Sequence, residues 1–117
     1  MNTATAENTD AIWVKVCEKS ALAPDTGVCA LANGQQVAIF YSRHLDELFA
    51  VGNYDPIGKA YVLSRGLIGS QGERICVASP LYKQHFDLRT GECLEEEGVS
   101  IPTYELRLED GWISVLA

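Results

Sequence analysis

The sequence predicts an all-β fold, an antiparallel β-sandwich or barrel with a loop-rich segment inserted into it. Short runs of apolar and β-branched residues recur along the chain, and turn residues separate them. Two of the separating dipeptides, Asn33-Gly34 and Asp110-Gly111, favour tight hairpins because both residues of each pair tolerate positive φ. Residues 52–88 contain five glycines and two prolines, a density typical of loops and of close backbone approaches.

The first half of the chain contains four predicted strands. The second and third of them flank the Asn-Gly turn, and the four occupy residues 12–17, 28–32, 36–41 and 48–51. Residues 23–27 include a proline and a glycine, which predicts a loop between the first two strands. The helix-like stretch of note is short and covers residues 42–47.

The second half ends in a predicted hairpin. Residues 104–109 alternate apolar and charged side chains, and residues 112–116 follow after the Asp-Gly turn, so one face of the hairpin is expected to be buried. Residues 67–73 are predicted to form a hairpin turn. The three consecutive glutamates at residues 95–97 are typical of a solvated loop.

Length and composition indicate one domain. With 117 residues, of which 47% are hydrophobic, the chain can bury one core. We expect a flexible tail at residues 1–10, a single domain at residues 11–117, and a loop-rich subdomain at about residues 52–88. The tail lacks the charged and apolar regions of a signal peptide, and no apolar run approaches the roughly 20 residues that span a bilayer. These features predict a cytoplasmic protein.

The charge of the chain restricts its partners. The formal net charge is −7, and the nine Lys and Arg residues are scattered along the sequence. A nucleic-acid-binding protein needs a basic footprint to displace counterions from phosphates, and an anionic membrane surface repels an acidic chain. We therefore expect neither nucleic acid nor membrane as a partner, which leaves proteins and small molecules.

The cysteines do not follow a metal-binding pattern. No Cys-x-x-Cys pair occurs, and structural zinc sites normally contain such close pairs. In a reducing compartment, thiols are more common than disulfides. We predict four buried thiols, which are Cys17, Cys29, Cys76 and Cys93.

The titratable residues contain no recognisable catalytic pair. The two histidines, His44 and His85, have no thiol or hydroxyl partner marked by the local sequence, so we predict structural roles for them. Asp55 and Asp87 have the residue type of an acid–base pair. However, Asp55 precedes a proline, which suits a turn, and Asp87 is predicted to bond the backbone ahead of a Thr-Gly turn.

Two segments carry the most specific signal in the chain. Asn-Tyr-Asp-Pro-Ile-Gly at residues 53–58 and Ser-Pro-Leu-Tyr at residues 79–82 resemble the two ligand loops of Rieske iron–sulfur domains. A Rieske cluster takes its thiolates and imidazoles from a Cys-x-His segment and a later Cys-x-x-His segment. The positions that match these four ligands are occupied by Asp55, Ile57, Ser79 and Tyr82.

The closer resemblance is to one branch of that family, the small subunits of cytosolic NAD(P)H-dependent assimilatory nitrite reductases. The segments that carry this resemblance are residues 27–31, 36–40, 63–66 and 79–88. The resemblance implies a Rieske-like β fold and a large subunit that carries FAD, an iron–sulfur cluster and sirohaem and reduces nitrite to ammonium. It also implies that this chain is inactive alone and acts as a subunit of that enzyme.

The replaced ligands predict that the chain holds no cluster, because carboxylate, hydroxyl and aliphatic groups do not suit a soft iron–sulfur centre. We expect the ring of Tyr82 and the side chain of Ile57 to fill the space that a cluster would occupy, as a small core between the two loops. The tip formed by residues 55–59 and 79–84 is a candidate partner surface, with Lys59 and Lys83 as contacts. The alternatives are a Rieske-type electron carrier, a stand-alone protein-interaction module and a stand-alone enzyme.

Overall fold

The computed structural model of the chain describes residues 11–117, and it confirms the all-β prediction. Within that range the chain forms eleven strands and two short 3-10 turns, at Lys19–Ala21 and Leu63–Arg65. The strands are β1 (Trp13–Glu18), β2 (Gly27–Ala32), β3 (Gln35–Ser42), β4 (Glu47–Gly52), β5 (Tyr54–Asp55), β6 (Ala60–Tyr61), β7 (Leu67–Gln71), β8 (Arg74–Ala78), β9 (His85–Asp87), β10 (Leu106–Glu109) and β11 (Trp112–Leu116). The predicted tail at residues 1–10 lies outside the described residues.

The strands pair in antiparallel sheets. One sheet has the order β1-β11-β10, a second β2-β3-β4 and a third β7-β8-β9, while β5 and β6 form a small ribbon. Both predicted hairpins are present. Asn33 and Gly34 have φ of 51° and 78°, and Asp110 and Gly111 have φ of 53° and 82°, as a tight two-residue turn requires.

The central sheet is buried on both faces. Strand β3 contributes Val37 and Ile39 to one apolar cluster, which also contains Ile113 of β11. The intervening residues of β3, Ala38 and Phe40, belong to a second cluster with side chains of β8 and β9. Because successive side chains of a strand point to opposite faces, the β2-β3-β4 sheet lies between the other two sheets. This arrangement explains why β3 is apolar at consecutive positions.

One local prediction is wrong. Residues 42–47 do not form a helix, because Ser42 ends β3 and Glu47 begins β4. The Ser42 hydroxyl accepts a hydrogen bond from the backbone N–H of Leu45, and Asp46 has a φ of 51°. Serine and aspartate compete in this way with helical hydrogen bonds. The hairpin turn predicted within residues 67–73 is present but shorter, because residues 67–71 form β7 and the turn covers Gly72 and Glu73.

The prediction of four buried thiols is confirmed only in part. All four are free thiols. Cys76 and Cys93 are buried, but Cys17 is only partly buried and Cys29 is exposed on β2. Cys29 lies on a strand at the edge of its sheet, where alternate residues face outward.

Among the described residues, no helix is long and apolar enough to span a membrane.

Candidate functional site

The two predicted loops have the same local structure. Residues 55–59 (loop 1) and residues 79–83 (loop 2) share the pattern of a polar residue, proline, two further residues and lysine. In loop 1 the N–H of Lys59 donates to the carbonyl of Asp55 at 2.7 Å. In loop 2 the N–H of Lys83 donates to the carbonyl of Ser79 at 3.0 Å. Together the loops form a surface that we call the tip.

A single buried side-chain pair joins the loops. The Ser79 hydroxyl donates to Oδ2 of Asp55 at 2.5 Å, and both side chains are fully buried. The other oxygen of this carboxylate, Oδ1, accepts the N–H groups of Ile57 at 2.8 Å and Gly58 at 3.0 Å. Asp55 therefore caps its own loop and binds the second loop at the same time. The predicted turn role of Asp55 is confirmed, whereas its bond to Ser79 was not foreseen.

The loops also touch through Gly58 and Leu81. A Cβ atom on Gly58 would lie 2.5 Å from Cδ1 of Leu81 and 2.9 Å from Oδ2 of Asp55. A side chain at position 58 would have to displace Leu81 or Asp55, so glycine permits this approach. Leu81, rather than Tyr82, is the loop 2 residue that lies against loop 1.

The predicted core role of Tyr82 is wrong. Its side chain is 66% exposed, while Ile57 is partly buried and packs against the apolar cluster as expected. Since the Asp55–Ser79 bond and the Gly58–Leu81 contact already bring the loops together, an aromatic ring is not needed to fill the gap between them. The ring of Tyr82 faces solvent instead.

Asn53 anchors the strand that leads into loop 1. Its side-chain amide donates to Oε1 of Gln36 at 3.0 Å, and its Oδ1 accepts the N–H of Ser64 at 2.7 Å. The side chain is only 2% exposed. A buried amide bonded to both sides fixes the path of the chain. This role of Asn53 was not predicted. The sequence feature that could have indicated it is an asparagine directly after an apolar strand.

Asp87 and His85 have the structural roles predicted for them. Oδ1 of Asp87 accepts the N–H groups of Arg89 at 2.7 Å and Thr90 at 3.0 Å. Nδ1 of His85 lies 2.6 Å from Oε2 of Glu95. Among residues 11–117, neither of these two side chains forms a direct hydrogen bond with a thiol or a hydroxyl group.

An open groove of about 390 Å³ lies beside loop 1. Its walls include Leu31, Pro102 and the tyrosines Tyr54, Tyr61 and Tyr104. The rings of Tyr54 and Tyr61 are 4.9 Å apart. Among the described residues, no Asp, Glu, His, Cys or Lys lines this groove. The groove therefore offers no carboxylate, imidazole, amine or thiolate, and its ionisable side chains are those of the three tyrosines.

Comparison with known proteins identifies the family. The matching family model is the Rieske-like [2Fe-2S] domain, over residues 12–116. The nitrite reductase (NADH) small subunit of Salmonella typhimurium is 47% identical over 103 residues, which are 88% of this chain and 95% of that protein. This chain belongs to the nitrite reductase small-subunit family, a branch of the Rieske-like domains. The resemblance predicted from the two loop segments is thereby confirmed.

Two further relatives extend this comparison. The NMR structure of the E. coli protein NirD superposes on this chain with a TM-score of 0.83. The two are 44% identical, and the match covers 92% of this chain and 97% of that one. A nitrite reductase [NAD(P)H] large subunit of Klebsiella oxytoca is 34% identical over 88% of this chain but only 11% of its own length. In that protein, a segment similar to the small-subunit family is part of the large-subunit polypeptide.

The residues at the tip do not fit the [2Fe-2S] cluster of Rieske domains. A Rieske cluster needs two thiolates and two imidazoles, whereas this small-subunit chain has a carboxylate, a hydroxyl, a phenol and an alkyl group at the four positions. The carboxylate and the hydroxyl are already bonded to each other. In the part of the chain that the structure describes, no three His, Cys, Asp or Glu side chains are grouped to hold a metal.

None of the four cysteines lies in loop 1 or loop 2. Burial, with a smaller contribution from the nearby Asp87 carboxylate, raises the pKa of the Cys76 thiol to about 11. Without a metal, this thiol is therefore protonated at neutral pH. In the structure, the two loops of this small-subunit chain are joined by the Asp55–Ser79 hydrogen bond and by the close approach of Leu81 to Gly58.

Proposed function

We propose that this chain is the non-catalytic small subunit of an assimilatory NAD(P)H nitrite reductase. The observation that carries the proposal is the 47% identity to a nitrite reductase (NADH) small subunit over 95% of that protein's length. In this proposal the large subunit binds FAD, an iron–sulfur cluster and sirohaem and reduces nitrite to ammonium. The small subunit binds the large subunit and supports its activity, and it carries no cofactor itself.

The Klebsiella oxytoca protein supports the choice of partner. There, a segment 34% identical to this chain belongs to the polypeptide of a large subunit. A segment that is covalently attached in one protein and separate in another is expected to occupy the same position in both assemblies. A separate chain lacks the high effective concentration that attachment provides, so it needs a binding surface of its own.

The side chains of the tip support an accessory role rather than electron transfer. The Asp55 carboxylate is bonded to Ser79 and to two backbone N–H groups, so it is not free to bind iron. An electron carrier of the Rieske type requires its cluster. We infer that the loops have kept their shape as a binding surface after the cluster was replaced.

We also infer a cytoplasmic location. The four cysteines are free thiols, and Cys29 is exposed. Free thiols of this kind are common in reducing compartments and rare in oxidising ones. The NAD(P)H that the enzyme oxidises in this proposal is consistent with the same compartment.

Reconstitution tests the proposed function. The purified chain is added to the matching large subunit, and NADH-dependent nitrite reduction is followed together with sedimentation velocity. We expect a complex that sediments faster than either chain, with a higher rate than the large subunit alone, and no nitrite reduction by the small chain alone. Absence of both the complex and the rate increase would contradict the proposal. Nitrite reduction by the isolated chain would contradict the non-catalytic role.

A further inference from the structure

The charges of this chain are distributed unevenly between the loop-rich segment and the rest. Residues 52–88 contain four of the nine Lys and Arg residues and three of the sixteen Asp and Glu residues, which gives a formal charge of +1. The remaining residues contain five cations and thirteen acids, which gives −8. The cations of the segment are Lys59, Arg65, Arg74 and Lys83.

Burial sharpens this difference. Asp55 and Asp87, two of the three acids in the segment, are 0% and 5% exposed and bond to backbone N–H groups of their own loops. The one exposed acid of the segment is Glu73. Within residues 11–117, neither Lys59 nor Lys83 forms an ion pair with a carboxylate. The tip therefore presents two unpaired positive charges on a protein that is otherwise acidic.

The backbone at these two lysines is unusual. Lys59 has a φ of 58° and Lys83 a φ of 64°. This left-handed conformation is disfavoured for residues with a Cβ atom, and glycine or asparagine adopts it more readily. Lysine thus stands at the equivalent position of both loops although the turn itself does not favour it. Strain of this kind points to a role of the side chain rather than of the backbone.

Apolar side chains accompany the two lysines. Leu81 is 45% exposed and Tyr82 is 66% exposed, and both lie in loop 2 directly before Lys83. Exposed leucine and tyrosine beside unpaired cations give the usual composition of a protein interface, with apolar contacts at the centre and charges at the rim. An anionic small molecule would not need the apolar residues.

We infer that the tip binds a face of the large subunit on which carboxylates surround an apolar recess. Leu81 and Tyr82 enter the recess, and Lys59 and Lys83 pair with the carboxylates around it. The acidic remainder of the chain is repelled by the same face, so the charge distribution orients the small subunit with its tip forward. This inference rests on the proposed function, because it assumes that the large subunit is the partner.

The test compares two charge-reversal variants of equal net charge. One is Lys59→Glu/Lys83→Glu at the tip, and the control is Lys15→Glu/Arg107→Glu on the β1-β11-β10 sheet. Binding of each full-length chain to the large subunit is measured by sedimentation or calorimetry. We expect the Kd of the tip variant to rise by about tenfold or more and that of the control by less than about threefold. Wild-type binding should also weaken with added salt, and the tip variant should depend less on salt.

A second tip variant separates binding from folding. Lys59→Gly/Lys83→Gly removes both charges and relaxes the backbone, so it should unfold at a temperature close to that of the wild type and still bind more weakly. Equal affinities of wild type and both tip variants would overturn the inference, as would equal losses in the tip variant and the control. If the wild type itself does not bind the large subunit, the proposed function fails instead.

Discussion

Replacing Asp55 with alanine is expected to lower the free energy of unfolding by about 3 kcal/mol. The side chain is fully buried and accepts three hydrogen bonds, two from its own loop and one from Ser79 of the other loop. Alanine leaves these donors without their acceptor and opens the contact between the loops. Urea denaturation, followed by tryptophan fluorescence, measures the change.

Controls for this prediction come from the same site. Tyr82→Ala, at another replaced ligand position, should change the stability by about 0.5 kcal/mol or less, because the ring is exposed. A double-mutant cycle of Asp55→Ala and Ser79→Ala should give a coupling of about 1.5–3 kcal/mol, the range of hydrogen bonds to charged groups. Additive losses, or a larger loss in Tyr82→Ala than in Asp55→Ala, would show that the loops are held together by other contacts.

Gly66→Ala is expected to destabilise the chain by about 3 kcal/mol, at the upper end of the usual range for overpacking. A Cβ atom at Gly66 would lie 2.3 Å from the carbonyl oxygen of Ala78 and 2.8 Å from Cγ2 of Val77. Both neighbours belong to β8, which leads directly into loop 2, and the backbone oxygen cannot turn away as a flexible side chain could. The change therefore separates two segments that hold the tip. Thermal and urea unfolding measure the loss.

Gly69→Ala is the matched control, three residues along the same segment. Nothing lies within 4 Å of a Cβ atom built on Gly69, so a methyl group meets open space there. Alanine should leave the stability unchanged within about 0.5 kcal/mol. Similar losses at the two glycines would mean that the close approach of Gly66 to β8 does not determine the stability of this region.

The sequence predicted the two hairpin turns better than it predicted the segment at residues 42–47. The Asn-Gly and Asp-Gly pairs determine local backbone geometry, so both hairpins follow from a few adjacent residues. The helix wrongly predicted at residues 42–47 lies in a segment without such a pair of turn residues. There the Ser42 hydroxyl and the φ of Asp46 form a turn, and a short polar segment does not reveal which of the two structures will form.

At the tip, the sequence indicated the two loops but not what joins them. The loop pattern is local, whereas the bond between Asp55 and Ser79 connects residues 24 positions apart. The proline after Asp55 indicated the turn, but because aspartate is rarely buried, nothing local indicated a buried bond to the other loop. The wrong prediction for Tyr82 has the same origin. A core-filling ring was expected because, without the bond between Asp55 and Ser79, a gap would remain between the loops.

We propose that a hydrogen bond, rather than an iron–sulfur cluster, joins the two loops of this small subunit. The most direct measurement is the iron and acid-labile sulfide content of the isolated chain, expressed with added iron and purified without oxygen, together with its visible spectrum. We predict a colourless protein with far less than one iron per chain. Two irons and two sulfides per chain, with visible absorption bands, would contradict the claim.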